Sequence, residues 1–153
     1  MRILTFSSLF PNTRQASHGI FVENRLRKLL AYAPEIEARV IAPVPWFPSQ
    51  NPRFGEYAKF AGVPANEQRH GIDVLHPKYL VVPKVGMQLT PRMMYRAVRG
   101  AVRRLRAQGF DFDLIDAHYF YPDGVAAMWL AREFARPFTV TGRGTDLNLI
   151  PQY

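Results

Sequence analysis

The sequence predicts an α/β protein with an open parallel sheet and helices on both of its faces. The first observation is the order of hydrophobic patterns: strand, helix, strand, an irregular excursion, then strand, helix, strand, helix, strand. This alternation is typical of parallel sheets. The second observation is that two strands run directly into polar turns, near His118 and near Gly142. Ligands bind beyond the carboxyl ends of such strands, so both turns are candidate sites.

Composition places the chain among globular proteins. Its 153 residues suit one domain, and 48% of them are hydrophobic while 21% are charged. No apolar run is long enough to cross a bilayer, the first residues show no signal-peptide core, and cysteine is absent. We therefore expect a cytoplasmic protein. The formal net charge of +8 favours an anionic partner such as phospholipid, nucleic acid or a phosphorylated ligand.

The N-terminal part is predicted to form a strand–helix–strand unit. Residues 3–6 form the first strand, and a polar loop follows. The helix begins near Ile20, carries apolar residues at helical spacing and ends at Pro34. Glu23 is expected on its surface. Residues 37–42 form the second strand, and the intervening helix favours parallel pairing of the two strands.

Residues 43–70 interrupt this alternation. Five prolines punctuate the segment, and five aromatic residues lie between them. Long irregular segments inside compact domains are often functional. The alternative is a packed surface excursion whose aromatic side chains cover the core, and both interpretations stay open.

The remaining chain is predicted to complete the sheet. The third strand covers residues 72–75, and an extended segment continues over residues 76–84. A helix begins near Pro91 and stops at Gly109. A strand after Asp113, a helix around Trp129 and a strand around Phe138 then follow. A strand order of 3-2-1-4-5 would place the first and fourth strands side by side, with the loops through Gly19 and His118 facing one crevice.

The stretch 113–124 organises the chain. It is predicted to be a buried strand, a turn enforced by Pro122 and the start of a buried helix. His118 would lie just past the strand, Asp123 would cap the helix, and Asp116 would have a structural role within the strand. The residues alone favour a satisfied structural histidine at position 118 over a functional one.

Three segments resemble the N-terminal domain of family-4 retaining glycosyltransferases of the GT-B fold. They are residues 8–22 (SLFP to HGIFV), 116–124 (DAHYFYPDG) and 141–146 (TGRGTD). The resemblance covers essentially the whole chain. It implies a Rossmann-like domain that mainly holds the acceptor, while a second domain holds most of the nucleotide sugar. Because no second domain follows, we interpret residues 1–153 as an acceptor-side domain that is incomplete at its C-terminus.

The resemblance implies roles for four residues in a cleft. The loop through Gly19 would face the donor diphosphate, with a turn glycine that binds no ligand as the alternative. His118 would hydrogen-bond the reacting sugar. Arg143 and Asp146 would line the cleft, unless they form a structural ion pair within their turn. A nucleotide sugar is then the co-substrate, and no metal or other cofactor is implied.

The leading hypothesis is the N-terminal part of a glycosyltransferase that moves a sugar from a nucleotide sugar to a lipid-linked or polysaccharide acceptor. This chain alone is expected to be inactive, because the donor side of the cleft is missing. One alternative is a non-catalytic Rossmann-like module that binds anions or membrane through a basic helix. Another is a non-functional remnant.

The helix after Pro91 carries a basic row beside an apolar one. This row predicts a face for an anionic membrane surface, on the cytoplasmic side, and the alternative is a solvated charged face. Its members are Arg92, Arg96, Arg99 and Arg103. Nucleic acid is not expected as a partner, because few aromatic residues interleave with these arginines.

Overall fold

The computed structural model describes residues 1–81 and 88–148. A 3-10 turn at Pro52–Phe54 and a π-helical turn at Phe120–Gly124 supplement the regular elements. The strands are β1 (Arg2–Phe6), β2 (Glu37–Ile41), β3 (Val44–Trp46), β4 (Asn66–Arg69), β5 (Ile72–Leu75), β6 (Lys78–Leu80), β7 (Leu114–His118) and β8 (Phe138–Thr141). The helices are α1 (Ile20–Tyr32), α2 (Glu56–Ala61), α3 (Thr90–Ala107), α4 (Val125–Phe134) and α5 (Thr145–Asn148).

The main sheet has the strand order β4-β5-β2-β1-β7-β8. All neighbouring pairs are parallel except β4 and β5. The five strands that the sequence predicts stand in the order 3-2-1-4-5, as expected. The prediction of an α/β protein with a mostly parallel sheet is therefore confirmed.

Helices cover the sheet from both sides, because neighbouring residues of a strand point to opposite faces. On β2, Ile41 lies in a core with α3 and α4, whereas Val40 lies in a second core with α1. The buried face of α1 also holds Glu23, which is 1% exposed and accepts from Arg69 Nε at 2.6 Å. The prediction of a surface position for Glu23 was wrong. A buried acid on α1 is tolerated here because a cation on β4, Arg69, pairs with it.

The excursion 43–70 contains more regular structure than its sequence suggested. β3 pairs in parallel with β6, and β4 forms a hairpin with β5. The aromatic rings of Phe47, Tyr57 and Phe60 pack on one another, with ring centroids 5.2 and 6.4 Å apart. Of the extended segment predicted over residues 76–84, β6 covers part, and residues 82–84 lie outside the described residues.

The strands β1 and β7 are neighbours although more than a hundred residues separate them in sequence. From β1 the chain adds strands β2 and β5 on one side, and from β7 it adds β8 on the other side. The loops that follow β1 and β7 therefore lead to opposite faces of the sheet and start next to each other. Ser7, just after β1, donates its hydroxyl to the backbone oxygen of His118 at 3.4 Å. The sequence predicted a ligand crevice at this junction. In the described part of the chain, no helix is both long and apolar enough to cross a membrane.

Candidate functional site

His118 is the last residue of β7 rather than the first residue beyond it, and its side chain is fully buried. The chain then turns sharply at Tyr119, whose φ of 86° is unusual for a residue other than glycine. The Tyr119 N–H donates to Thr141 O, and its carbonyl accepts from Gly124 N–H, each at 2.9 Å. These bonds hold the backbone beside His118 in a strained conformation, a feature common at functional sites.

The His118 ring meets a cation on one side and an acid on the other. Arg143 Nη2 lies 2.7 Å from Nδ1. Since a guanidinium can only donate, Nδ1 accepts this bond and the ring proton is on Nε2. Nε2 lies 3.3 Å from Asp116 Oδ2, to which it can donate, and 3.3 Å from Arg25 Nη1. With the proton on Nε2, the hydrogen bond is the one to Asp116, and Arg25 is a neighbouring cation that also bonds Asp116.

Asp116 connects His118 to α1. Its Oδ2 accepts from Arg25 Nη1 at 2.6 Å, and its Oδ1 accepts from Thr139 Oγ1 at 3.2 Å. Burial raises the pKa of Asp116, but the bonds to His118 and Arg25 outweigh burial and hold it below its usual value. Asp116 was predicted to be structural and Arg25 was not predicted as a site residue. Both contact His118.

Arg143 is a half-buried guanidinium with incomplete pairing. Its Nε is buried without a hydrogen-bond partner, and in residues 1–81 and 88–148 no carboxylate forms an ion pair with it. Its Cζ lies 5.0 Å from the centre of the exposed Phe21 ring. Burial and the nearby charge of Arg25 lower the pKa of Arg143, and the opposing effect of the Asp116 and Asp146 charges is smaller.

Asp146 organises the turn that presents Arg143. Its carboxylate accepts the backbone N–H of Arg143 at 2.7 Å and that of Phe120 at 2.5 Å. The predicted alternative, an ion pair between the two side chains of this turn, does not describe the arrangement, since Arg143 points its guanidinium at His118 instead. Asp146 joins the turn after β8 to the turn after β7.

Gly19 precedes α1 and is buried, with a φ of 63°. A Cβ at this position would lie 2.3 Å from the carbonyl carbon and oxygen of Leu9. The missing side chain therefore makes room for the chain's own backbone, as expected for a structural turn glycine. Access of a donor diphosphate to this loop stays a prediction.

Asp123 does not cap α4, whose first turn has no side-chain cap. Its carboxylate accepts instead from the backbone N–H of Ser8 and from the Ser8 hydroxyl, the latter at 2.9 Å. Burial raises the pKa of Asp123 to about 7, and the charge of Asp146 adds to the effect. The predicted cap was wrong because the partner of Asp123 lies in the loop after the neighbouring strand β1.

The basic face of α3 lies apart from this site and is divided. Arg92 and Arg96 are exposed, and neither forms an ion pair within the described ranges. Arg99 and Arg103 share one oxygen of Glu133 on α4, at 3.4 and 2.5 Å. Glu133 thus partly neutralises the positive charge of two of the four arginines in the predicted face.

No known family model matches the chain. It is 30% identical, over its whole length, to a Bacillus subtilis (strain 168) protein named "Putative teichuronic acid biosynthesis glycosyltransferase TuaC". The chain spans 39% of the length of that relative. The resemblance to a glycosyltransferase that the sequence predicted is confirmed by this similarity.

Proposed function

We propose that this chain is the acceptor-side part of a glycosyltransferase that transfers a sugar from a nucleotide sugar to a glycan or lipid-linked acceptor. In this proposal it is the N-terminal, Rossmann-like domain of a retaining enzyme with the GT-B fold. The similarity to TuaC along the whole chain supports glycosyl transfer in general. The strand order, with its reversal between β1 and β7, supports a ligand at the junction of these strands.

The observation that carries the proposal is the convergence of the three segments that resemble glycosyltransferases. Segment 8–22 is bonded to segment 116–124 through Ser8 and Asp123. Segment 116–124 is bonded to segment 141–146 twice, by His118 with Arg143 and by Phe120 with Asp146. Motifs far apart in sequence thus form one hydrogen-bonded unit at one edge of the sheet.

His118 is the group proposed to act on the reacting sugar. Asp116 holds its tautomer, and the bonded turn at Tyr119 fixes the backbone beside it. A rigidly placed imidazole can orient a sugar hydroxyl by hydrogen bonding while charge develops at the anomeric carbon. The leaving diphosphate would be stabilised near Gly19, since a helix N-terminus favours anions. The proposal needs no metal or other cofactor.

The test is nucleotide release from common sugar nucleotides in the presence of candidate acceptors. Three proteins are compared: this chain alone, TuaC with its matched segment replaced by this chain, and the same chimera carrying His118→Ala. We expect no release by the chain alone, acceptor-dependent release by the chimera, and a strong loss with the substitution. A folded chimera without transfer would contradict the proposal, and clear turnover by the chain alone would contradict the division into acceptor and donor sides.

A second proposed role, compatible with the first, is peripheral binding to the cytoplasmic face of a membrane through α3. Arg92 and Arg96, which form no ion pair with any residue that the structure describes, support it, and each would contribute about 1 kcal/mol at an anionic surface. In liposome flotation, replacing both by serine should weaken binding more than replacing Arg99 and Arg103, which share Glu133. Binding that ignores both salt and the fraction of anionic lipid would rule out this mode.

A further inference from the structure

The guanidinium of Arg143 has more hydrogen-bonding capacity than its surroundings use. One of its donors is directed at an imidazole nitrogen, and its buried Nε has no partner. Asp116 and Asp146 are near enough to act on its charge, but within the described residues no acid bonds the guanidinium directly. A ligand that forms such bonds would complete its pairing. Planar guanidinium groups are suited to carboxylate and phosphate, which they bind with two parallel hydrogen bonds.

A second cation stands next to the first. Arg25 lies 3.3 Å from Nε2 of His118, on the side of the ring opposite Arg143. Its bond to Asp116 uses Nη1, and its side chain is 45% exposed, which leaves other donors open to solvent. Two guanidiniums therefore flank one imidazole, while Asp116 is the acid that contacts both this ring and Arg25. Asp146 lies in the same turn as Arg143, so two acids balance the two cations, but within the described residues neither acid forms an ion pair with the Arg143 guanidinium.

Large apolar side chains surround this cluster without being buried. Phe21, which packs on Arg143, is 44% exposed, and Phe120 and Leu147 are 45% and 53% exposed. A Cβ at Gly142 would lie 2.9 Å from both Phe120 and Leu147, so these two side chains meet beside the Arg143 turn. Exposed aromatic rings beside an unpaired cation indicate a ligand that has both an apolar face and an anionic group.

We infer that Phe21, Arg25 and Arg143 form a subsite for an anionic sugar unit. Arg143 binds its carboxylate or phosphate, exposed donors of Arg25 stand nearby, and the apolar face of its pyranose ring packs against Phe21. This inference rests on the proposed function and deepens it, since it identifies the acceptor as a glycan that bears an oxyanion close to the reacting centre.

Binding at this subsite also explains how a fully buried histidine can reach a substrate. The Arg143 guanidinium occupies Nδ1 of His118 in the structure described. An anion that draws the Nη2 donor of Arg143 to itself breaks this contact, because a guanidinium bonds an anion more strongly than a neutral ring nitrogen. Nδ1 is then free to accept a hydrogen bond from a sugar hydroxyl. The anionic group thus both selects the acceptor and uncovers the imidazole.

The test is an NMR titration of the 153-residue chain with five probes: glucuronate, glucose 6-phosphate, glucose, acetate and inorganic phosphate. We expect the two anionic sugars to bind at least tenfold more tightly than glucose and than either bare anion. Binding should shift the Arg143 Nε–H, the Phe21 ring and His118 Nδ1 together. The carboxylate and phosphate probes distinguish a uronic acid from a sugar phosphate as the preferred unit.

Matched variants separate the two parts of the subsite. Arg143→Gln should abolish the preference for anionic sugars, Arg143→Lys should restore part of it, and Phe21→Ala should make an anionic sugar bind no better than its bare anion. Arg27→Gln, an exposed arginine elsewhere on α1, is the control and should bind like the wild type. Glucose binding as tightly as glucuronate, or unchanged binding by a folded Arg143→Gln chain, would overturn the inference. Neither result depends on glycosyl transfer, so the proposed function can fail while this subsite stands.

Discussion

Two polar regions of the protein differ in how completely their charges are paired. Beside β4 and β5, Glu23 meets Arg69, and the buried His76 lies 2.9 Å from both Ala42 O and Glu67 Oε1. At the ends of β1, β7 and β8, by contrast, His118 faces a guanidinium, and Asp123 is buried against neutral groups. The first region uses its polar groups to hold the sheet together. The second region contains a buried carboxyl group without a cation and an imidazole nitrogen that faces a cation, and such incomplete pairing is common at functional sites.

The comparison of the two histidines shows why burial alone does not separate structure from function. His76 is 1% exposed and His118 is fully buried, and each stands at the carboxyl end of a strand. Each nitrogen of His76 faces an oxygen acceptor. Nδ1 of His118 faces a donor. Partner chemistry, rather than exposure, marks His118 as the candidate site.

The largest expected effect is on stability and falls on the paired region. His76→Ala should reduce the free energy of unfolding by about 3–5 kcal/mol, since it leaves Glu67 buried without its partner. His118→Ala should cost only about 1–2 kcal/mol, because Asp116 keeps Arg25 and Thr139 as partners. Denaturant unfolding monitored by circular dichroism measures both. His70→Ala, at a half-exposed position, is the control, and an equal or greater loss for His118→Ala would reverse the comparison.

The next effect is a pH dependence that belongs to the unmatched region. The pKa of Asp123 rises from its ordinary 3.8 to about 7 on folding, chiefly through burial. Between these pH values the folded chain holds a proton that the unfolded chain releases. The contribution of Asp123 to the free energy of unfolding is therefore fully present at low pH and is lost as the pH rises towards 7. Asp123→Asn should remove this loss, and the stability difference between the two proteins should change by up to about 4 kcal/mol from pH 4 to 7.

Denaturation curves at four or five pH values provide the measurement. Asp73→Asn, at a half-exposed position, is the matched control and should follow the wild type over this range. If the stability of Asp123→Asn ran parallel to that of the wild type between pH 4 and 7, the carboxyl group would not be held neutral by the fold.

A smaller effect tests whether the loop before α1 is shaped by the chain itself. Gly19→Ala should destabilise the protein by about 2–3 kcal/mol, because the new Cβ meets the Leu9 backbone and the φ is positive. Gly71→Ala, with a φ of 80° and nothing within 4 Å, should cost about 1 kcal/mol from backbone conformation alone. If thermal unfolding showed the same loss of stability for both variants, the Leu9 backbone would move aside for the new Cβ at little cost, and the loop would not be tightly packed.

The sequence predicted the sheet better than the site, for physical reasons. Apolar strands such as β1 and β7 are visible in local patterns, whereas β4 is polar and exists because it pairs with β5 in a hairpin. Asp123 has the local pattern of a helix cap, but its partner Ser8 lies 115 residues away. Arg25 shows no local signal at all, since its contact with His118 depends on how α1 packs on the sheet.

The most direct test of the account is the turnover number of an active chimera that contains this segment, compared between the wild type and His118→Ala. A positioned hydrogen bond or proton transfer contributes roughly ten- to a thousandfold, so we expect a loss in that range with the protein still folded at the assay temperature. His76→Ala should instead lower the folded fraction and leave the turnover number per folded molecule unchanged. If folded His118→Ala enzyme retained full turnover, His118 would be a structural residue like His76, and the central claim would be wrong.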